Sequence, residues 1–469
     1  MAEYSSLPKR WDYEADVIVV GAGTAGLPAA IMAADAGAKV AVLECMSYCA
    51  SSLALVEVGP AFAGTDVQEA EGIHDSAELF YRDGMEKAKG WPEMWRLFTD
   101  YQLDTYYWCK NLGLKFEELF AVPRHSAKRG FFINAVEWLQ IVEKEARERG
   151  AEILFLHRAM RLIRDAQTGR VAGLKVAVKG KMENFRANKA VILATGGFGR
   201  NRDMVLEYGP EYADYAPIMP PGHLGDGLKM AMAEGADTRG IGSAVMPSFQ
   251  VDAVTKSGNM GFIAYVGGIF VNVHGKRFCD ESTRNSWHGF LSREAMKQPG
   301  GLSWIVYDEK IRRKVIPSKF GAATPEQTDN IKALAEKAGI DVVGLNETVE
   351  RYNGDIDRVG YDTEFDRRTL VADEGAPGKI DEPPFYAIRS VASTTSFKGG
   401  LRVNTLLQVV NKYDEPIQGL YACGEVAGGL WGPNGTYLPC TGISSSMTFG
   451  RIAGRNAAAE QFNGRPRRE

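Results

Sequence analysis

Cysteine and histidine are both scarce in this chain of 469 residues, with six of each. The cysteines (Cys45, Cys49, Cys109, Cys279, Cys423 and Cys440) form no CxxC or CxxCH pattern. That excludes a zinc knuckle and a c-type haem attachment, so no metal is expected and the thiols read as small buried hydrophobes. An excess of one charge is also missing. A net charge of −4 gives no broad electrostatic reason to bind nucleic acid or an anionic membrane. No apolar run approaches the roughly 20 residues that span a bilayer. The opening MAEYSSLPKRWDYEAD has no hydrophobic signal core, so the expected location is cytoplasmic.

What is there is an ordinary globular composition, 45% apolar and 24% charged, in a chain too long for a single core. The strongest local signal is DVIVV (16–20), a β-branched run that predicts a buried strand. Gly21-Ala-Gly23-Thr-Ala-Gly26 follows, then an alanine-rich helix and a second strand, 39–43, ending at Glu44. The glycines allow a tight turn, close approach of backbone to a pyrophosphate, and tight helix–strand packing. The helix N-terminus offers unpaired N–H groups to the phosphates, and Glu44 is placed to accept a ribose hydroxyl. Two more strands run into glycine-rich turns, AVILATGGFG (190–199) and GLYACGEVAGG (419–429). Neither repeats the order of turn, helix, strand and acid. Both therefore read as returns of the chain to one long buried cofactor such as FAD.

These pieces, with HLGDG (223–227), GKRFCDE (275–281) and MTFGRIAG (447–454), stand in the order found in the fumarate reductase/succinate dehydrogenase flavoprotein family. The chain resembles that family over nearly its whole length, most closely its soluble branch of flavocytochrome-type fumarate reductases, urocanate reductases and 3-ketosteroid dehydrogenases. The resemblance implies an α/β fold, a Rossmann-like FAD-binding domain at 1–240 and 394–469 split by an inserted α+β capping domain at 241–393. It implies FAD held without a covalent link, since no histidine lies in the stretch from Cys45 to Gly59. Gly21, Gly23, Ala25, Gly26 and Glu44 would hold the nucleotide, with Ser51 and Ser52 beyond the second strand. Thr195, Gly196, Gly197 and Asp226 would follow, then Gly424 and Glu425, and last Gly442, Ile443 and Ser444 at the terminal helix.

Members of this family move a hydride between flavin and a C=C bond next to a carbonyl, while a proton goes on or off the neighbouring carbon. The resemblance makes Arg284 the candidate proton donor, relayed through Asp280 or Glu281. It also exposes what is missing. Where the fumarate-reducing members carry histidines and arginines that clamp dicarboxylates, this chain has Met246, Ala264, Ser396 before Gly399-Gly400, and Tyr437. A tyrosine in place of an arginine fork offers one neutral O–H donor, which suits a ketone oxygen better than a carboxylate. Tyr437 is therefore the second candidate catalytic residue, and Met246, Ser396, Gly399, Gly400 and Tyr437 are the candidate substrate contacts. An apolar wall is expected from Tyr106, Tyr107, Trp108, Met246, Phe249, Phe262, Tyr265 and Phe397.

The leading expectation is an FAD-dependent oxidoreductase that reduces or introduces a C=C bond beside a ketone, on a steroid-like or other apolar enone. One alternative is a reductase of α,β-unsaturated carboxylates of urocanate, cinnamate or fumarate type. Another is a flavin electron-transfer module without turnover of its own. The expected partners are a small-molecule substrate and an unidentified electron donor or acceptor, with no nucleic acid and no membrane span.

Overall fold

The β-branched run forms strand β1 (Tyr13–Val20), and the chain turns at Gly21 into helix α1 (Gly26–Asp35) and returns in β2 (Val40–Glu44). The two strands are parallel, with Val20 opposite Leu43. All five residues of β2 are buried, which is why it reads as a continuous apolar run and not an alternating one. The structure is a computed structural model and describes residues 7–56, 59–122, 124–247, 250–282, 289–315, 317–370, 375–431 and 437–461.

Six strands of an eight-stranded sheet run in the order β5-β6-β4-β1-β2-β3, with β3 (Glu152–Phe155), β4 (Lys181–Leu193), β5 (Gln408–Val410) and β6 (Pro416–Ala422), and the strands His157–Arg164 and Val171–Val178 join it antiparallel beside β4. Along the six-strand path every neighbouring pair is parallel except β5 with β6. The register sets Val20, Leu43, Leu193 and Ala422 side by side. All three glycine-rich turns thus leave the sheet at its carboxyl edge, where open α/β sheets bind ligands.

The terminal helix, α2 (Thr441–Ala459), lies directly on α1. A Cβ placed on Gly450 would fall 2.2 Å from the Ala25 carbonyl oxygen, and one on Gly454 would fall 2.1 Å from that of Ala29. Four residues apart, these glycines share one helix face and let the two backbones touch. MTFGRIAG is a helix-packing motif.

The chain forms two compact units, one of residues 1–213, 219–245 and 396–469, the other of 214–218 and 246–395. The short segment 214–218 goes with the second unit, a feature the sequence-based boundaries did not contain. Ala216 and Ile218 pack on Val251 and Val391, and Ala216 and Pro217 pair with Ser393 and Thr394. The second unit is built on an antiparallel sheet in which Phe385–Val391 lies between Leu302–Asp308 and Val251–Asp252. Its helices Ile331–Ala338 and Val342–Val359 bury Leu334, Leu345, Val349 and Tyr352 in its core. No helix among the described residues is long and apolar enough to cross a membrane.

Candidate active site

The carboxyl edge of the parallel sheet forms a backbone cradle. Gly21 has φ +108°, and a Cβ there would lie 2.4 Å from the Ala194 carbonyl oxygen, so only glycine fits where the first and second turns meet. Gly26 is equally confined, with a would-be Cβ 1.9 Å from the Gly21 oxygen. Helix α1 starts at Ala25 without a side-chain cap; Leu27 N–H donates to the Gly23 carbonyl and Pro28 has no N–H, so the Gly26 N–H and the helix dipole are what this end offers an anionic ligand. Gly23 and Ala25 line the same turn, and Gly424 brings the third turn against Ala25.

Glu44 is buried at the end of β2, its Oε2 accepting from Ala22 N and its Oε1 from Met46 N, both at 2.9 Å. The acid therefore shapes the turn as well as presenting a carboxylate to it. Ser51 is tied to Thr24 at 2.6 Å between hydroxyl oxygens. Ser52 Oγ, Thr195 Oγ1 and His223 Nδ1 are buried with no hydrogen-bond partner among the described residues. Buried polar atoms left open in this way fit a ligand rich in hydrogen-bonding groups, and FAD is such a ligand.

Gly196 packs under the His223 ring and Gly197 under the Glu425 carboxylate. Burial pushes the pKa of His223 down, and the nearby Glu425 only partly offsets this. Asp226 opens the helix Asp226–Ala233, but both its oxygens are engaged by Arg158, at 2.7 and 3.0 Å. Ser444 turns its hydroxyl back onto the carbonyls of Cys440 and Thr441, so in α2 the backbone of Gly442, Ile443 and Ser444 is what faces outward from the helix start.

Tyr437 stands at this uncapped start of α2. Its Oη accepts from Gly442 N at 3.3 Å, and its own proton has no acceptor among the described residues. Burial raises its pKa above the ordinary phenol range, so the group is a neutral donor. The loop is fixed from behind by residues the sequence reading passed over. His125 Nε2 lies 2.9 Å from the Pro439 oxygen and must donate to it, which leaves Nδ1 as the acceptor facing Arg129 Nη1 at 3.4 Å. Arg124 Nη1 donates to the main-chain carbonyl oxygen of Tyr437 at 3.2 Å. Arg129 is itself buried and paired with Asp75 and Asp83. Burial and the Arg129 charge together push the His125 pKa down to about 3, so the ring is neutral. Burial pushes Asp83 up, but hydrogen bonds from Lys87, Ser126 and Arg129 outweigh it and hold that carboxyl at about 2.

Several expected roles change. Glu281, the expected relay for Arg284, has its carboxylate engaged by Arg277 at 2.6 Å, Arg367 at 3.2 Å and the Phe270 N–H at 3.1 Å. Arg277 also pairs with Asp362 at 2.7 Å, so the four charges close on one another inside the second unit. Arg284, Phe249 and the side chain of Met246 lie outside the described residues. Ser396 Oγ is buried with no partner among the described residues. Gly399 and Gly400 are explained by packing, their would-be Cβ atoms falling 1.8 Å from the Gly240 oxygen and 2.2 Å from the Val426 oxygen. Tyr106 is no wall residue: it is buried among Phe62, Phe116 and Phe131 and donates to Asp66 at 2.7 Å. Trp108 packs on Trp138, and Phe262 and Tyr265 on the core of the second unit. Aromatics drawn to a core and aromatics lining a ligand look alike in sequence.

Residues 16–437 match the family model described as FAD binding domain, and the chain belongs to that family. It is 32% identical over 458 residues to "Fumarate reductase (cytochrome)" of Shewanella frigidimarina, covering 94% of this chain and 77% of the relative. The open conformation of a flavocytochrome c3 fumarate reductase matches with a TM-score of 0.86 at 28% identity, over 96% of this chain and 79% of that one. A 3-ketosteroid-delta4-(5alpha)-dehydrogenase from Rhodococcus jostii RHA1, in complex with 4-androstene-3,17-dione, matches with a TM-score of 0.71 at 25% identity, over 96% and 98%. The fold is that of fumarate-reductase-type flavoproteins. The protein is an FAD-dependent oxidoreductase acting on C=C bonds, and the reading as a module without turnover falls away.

Proposed function

We propose that the protein reduces, or introduces, a C=C bond conjugated to a ketone, on a steroid-like or similarly flat apolar enone. The observation that carries this is the hydroxyl proton of Tyr437, which has no acceptor among the described residues and stands at the start of a long helix. A neutral hydroxyl donor at a helix N-terminus, its oxygen held by the Gly442 N–H, suits an uncharged oxygen that gains negative charge as the reaction proceeds. FAD, when bound, supplies or takes the hydride at the carbon β to the carbonyl. Tyr437 holds and polarises the ketone oxygen, and Arg284 handles the proton at the α-carbon. A second reading, an α,β-unsaturated carboxylate as substrate, is favoured by the relative named a fumarate reductase. The dicarboxylate clamp that the family resemblance leads one to expect is missing at Ser396 and Tyr437.

Tyr437→Phe and Tyr437→Arg separate the two. The phenylalanine keeps ring and packing while deleting the donor, and should lower enone turnover by about 2–4 kcal/mol in kcat/KM with FAD content unchanged. The arginine should worsen enone turnover further and admit small acids. Normal enone turnover by Tyr437→Phe, or a preference of the unaltered protein for dicarboxylates, would overturn the ketone reading.

A further inference from the structure

Lys398 is a charged side chain that the reading above leaves without a task. It lies in the strand Ser393–Leu401, only 6% exposed, and makes no hydrogen bond or ion pair with any described residue. Its ammonium sits over two rings, 4.5 Å from the centroid of Trp431 and 4.8 Å from that of Tyr437. A Cβ placed on Gly442 would lie 3.1 Å from Tyr437 Oη and 3.4 Å from Lys398 Nζ, so hydroxyl and ammonium close on the same space at the start of α2. Trp431 Nε1, in the same aromatic pair, is buried with no partner among the described residues.

A buried ammonium without a carboxylate at hydrogen-bond distance is costly, and cation–π contacts offset only part of that cost. Burial accordingly pushes the Lys398 pKa down, while Glu425, the charge that acts on it, pulls it back up. His223 is the other titratable group coupled to it, and it is held neutral. The electrostatics call for an anionic oxygen, and the ketone reaction produces one. Addition of hydride at the β-carbon moves the C=C electron pair toward the carbonyl, whose oxygen carries the negative charge until the α-carbon takes a proton. Dehydrogenation passes through the same enolate in reverse.

We propose that Lys398 is the charge of this carbonyl site: with the Tyr437 hydroxyl and the N-terminus of α2, its ammonium pairs with the substrate oxygen as an enolate, which makes the site a receptor for phenolate-like anions. The inference rests on the ketone reading and adds to it a charged specificity determinant. Gly442 is part of the device, because any side chain there would fill the space between donor and charge.

The test is a titration of the FAD-loaded protein with 4-nitrophenol, whose phenolate is spectroscopically distinct from the phenol. The unaltered protein should bind the phenolate and hold it ionised at a pH where the free compound is largely protonated. Lys398→Met, which conserves volume, should weaken phenolate binding roughly 10- to 100-fold, the loss expected for one charge-assisted hydrogen bond, and abolish the preference for the ionised form. Lys398→Arg should restore that preference, and Gly442→Ala should remove it without touching the charge, which keeps the test decisive if the methionine variant folds poorly. Equal affinity and equal ionisation in Lys398→Met would overturn the inference. So would unchanged phenolate binding with an altered flavin reduction potential, which would assign the charge to the flavin. Binding of the neutral phenol alone would overturn the role of Lys398 and leave the ketone reading standing, whereas no binding of either form would overturn both.

Discussion

Glu44→Gln perturbs the cradle with the least change of shape. Each carboxylate oxygen of Glu44 accepts one backbone N–H at 2.9 Å, from Ala22 in the glycine turn and from Met46 beyond β2. Glutamine has one acceptor oxygen and one NH2 group, so one of those two N–H groups must face a donor. A buried donor left unpaired costs about 1–3 kcal/mol, and this should appear as lower thermal stability of the flavin-free protein. If Glu44 also accepts a ribose hydroxyl, loss of that charged acceptor should weaken FAD binding by about another 1–3 kcal/mol, roughly 5- to 150-fold in Kd. Melting of the apo-protein reads the first effect, and a fluorescence titration with FAD reads the second. A lower melting temperature with unchanged Kd would show that Glu44 only shapes the turn. If neither quantity moves, the reasoning from the two 2.9 Å contacts is wrong.

Acid should destabilise the protein through His125. Folded His125 titrates at about 3, and the unfolded residue near 6.5, so the stability it contributes is intact above about pH 6.5 and is lost as pH falls toward the folded value, at up to about 1.4 kcal/mol per pH unit. A melting series between about pH 7 and 5 should be visibly flatter for His125→Gln, and identical slopes would refute the neutral-ring assignment. Gly450→Ala should cost roughly 1–3 kcal/mol by overpacking, because the new methyl would lie 2.2 Å from the Ala25 oxygen; unchanged melting and FAD content would contradict this. Arg284→Lys should lower kcat by about 10²- to 10⁴-fold with little change in KM if the guanidinium handles the proton, and an unchanged kcat removes it from the reaction.

The nucleotide cradle was legible in the sequence because it is encoded locally. A β-branched run, glycines that admit a tight turn, an alanine-rich helix and a strand ending in Glu44 each depend on backbone preferences over a few residues, and the structure joins them with Ala22 N–H on the Glu44 carboxylate. Three glycine-bearing strand ends likewise implied one shared edge, which the parallel register of β2, β1, β4 and β6 supplies. The side-chain pairings within each unit were not legible, since they are made by residues far apart in the chain. His125 finds its acceptor on Pro439, 314 residues away, and Glu281 meets Arg367 across 86 residues. Lys398 sits in TTSFKGG like any strand lysine. Only folding brings it beside Trp431 and Tyr437 and removes it from water. Charge and burial are properties of a three-dimensional neighbourhood, so the sequence determined which backbone could hold a dinucleotide, and the tertiary structure decided which side chains gather around Tyr437 and Lys398.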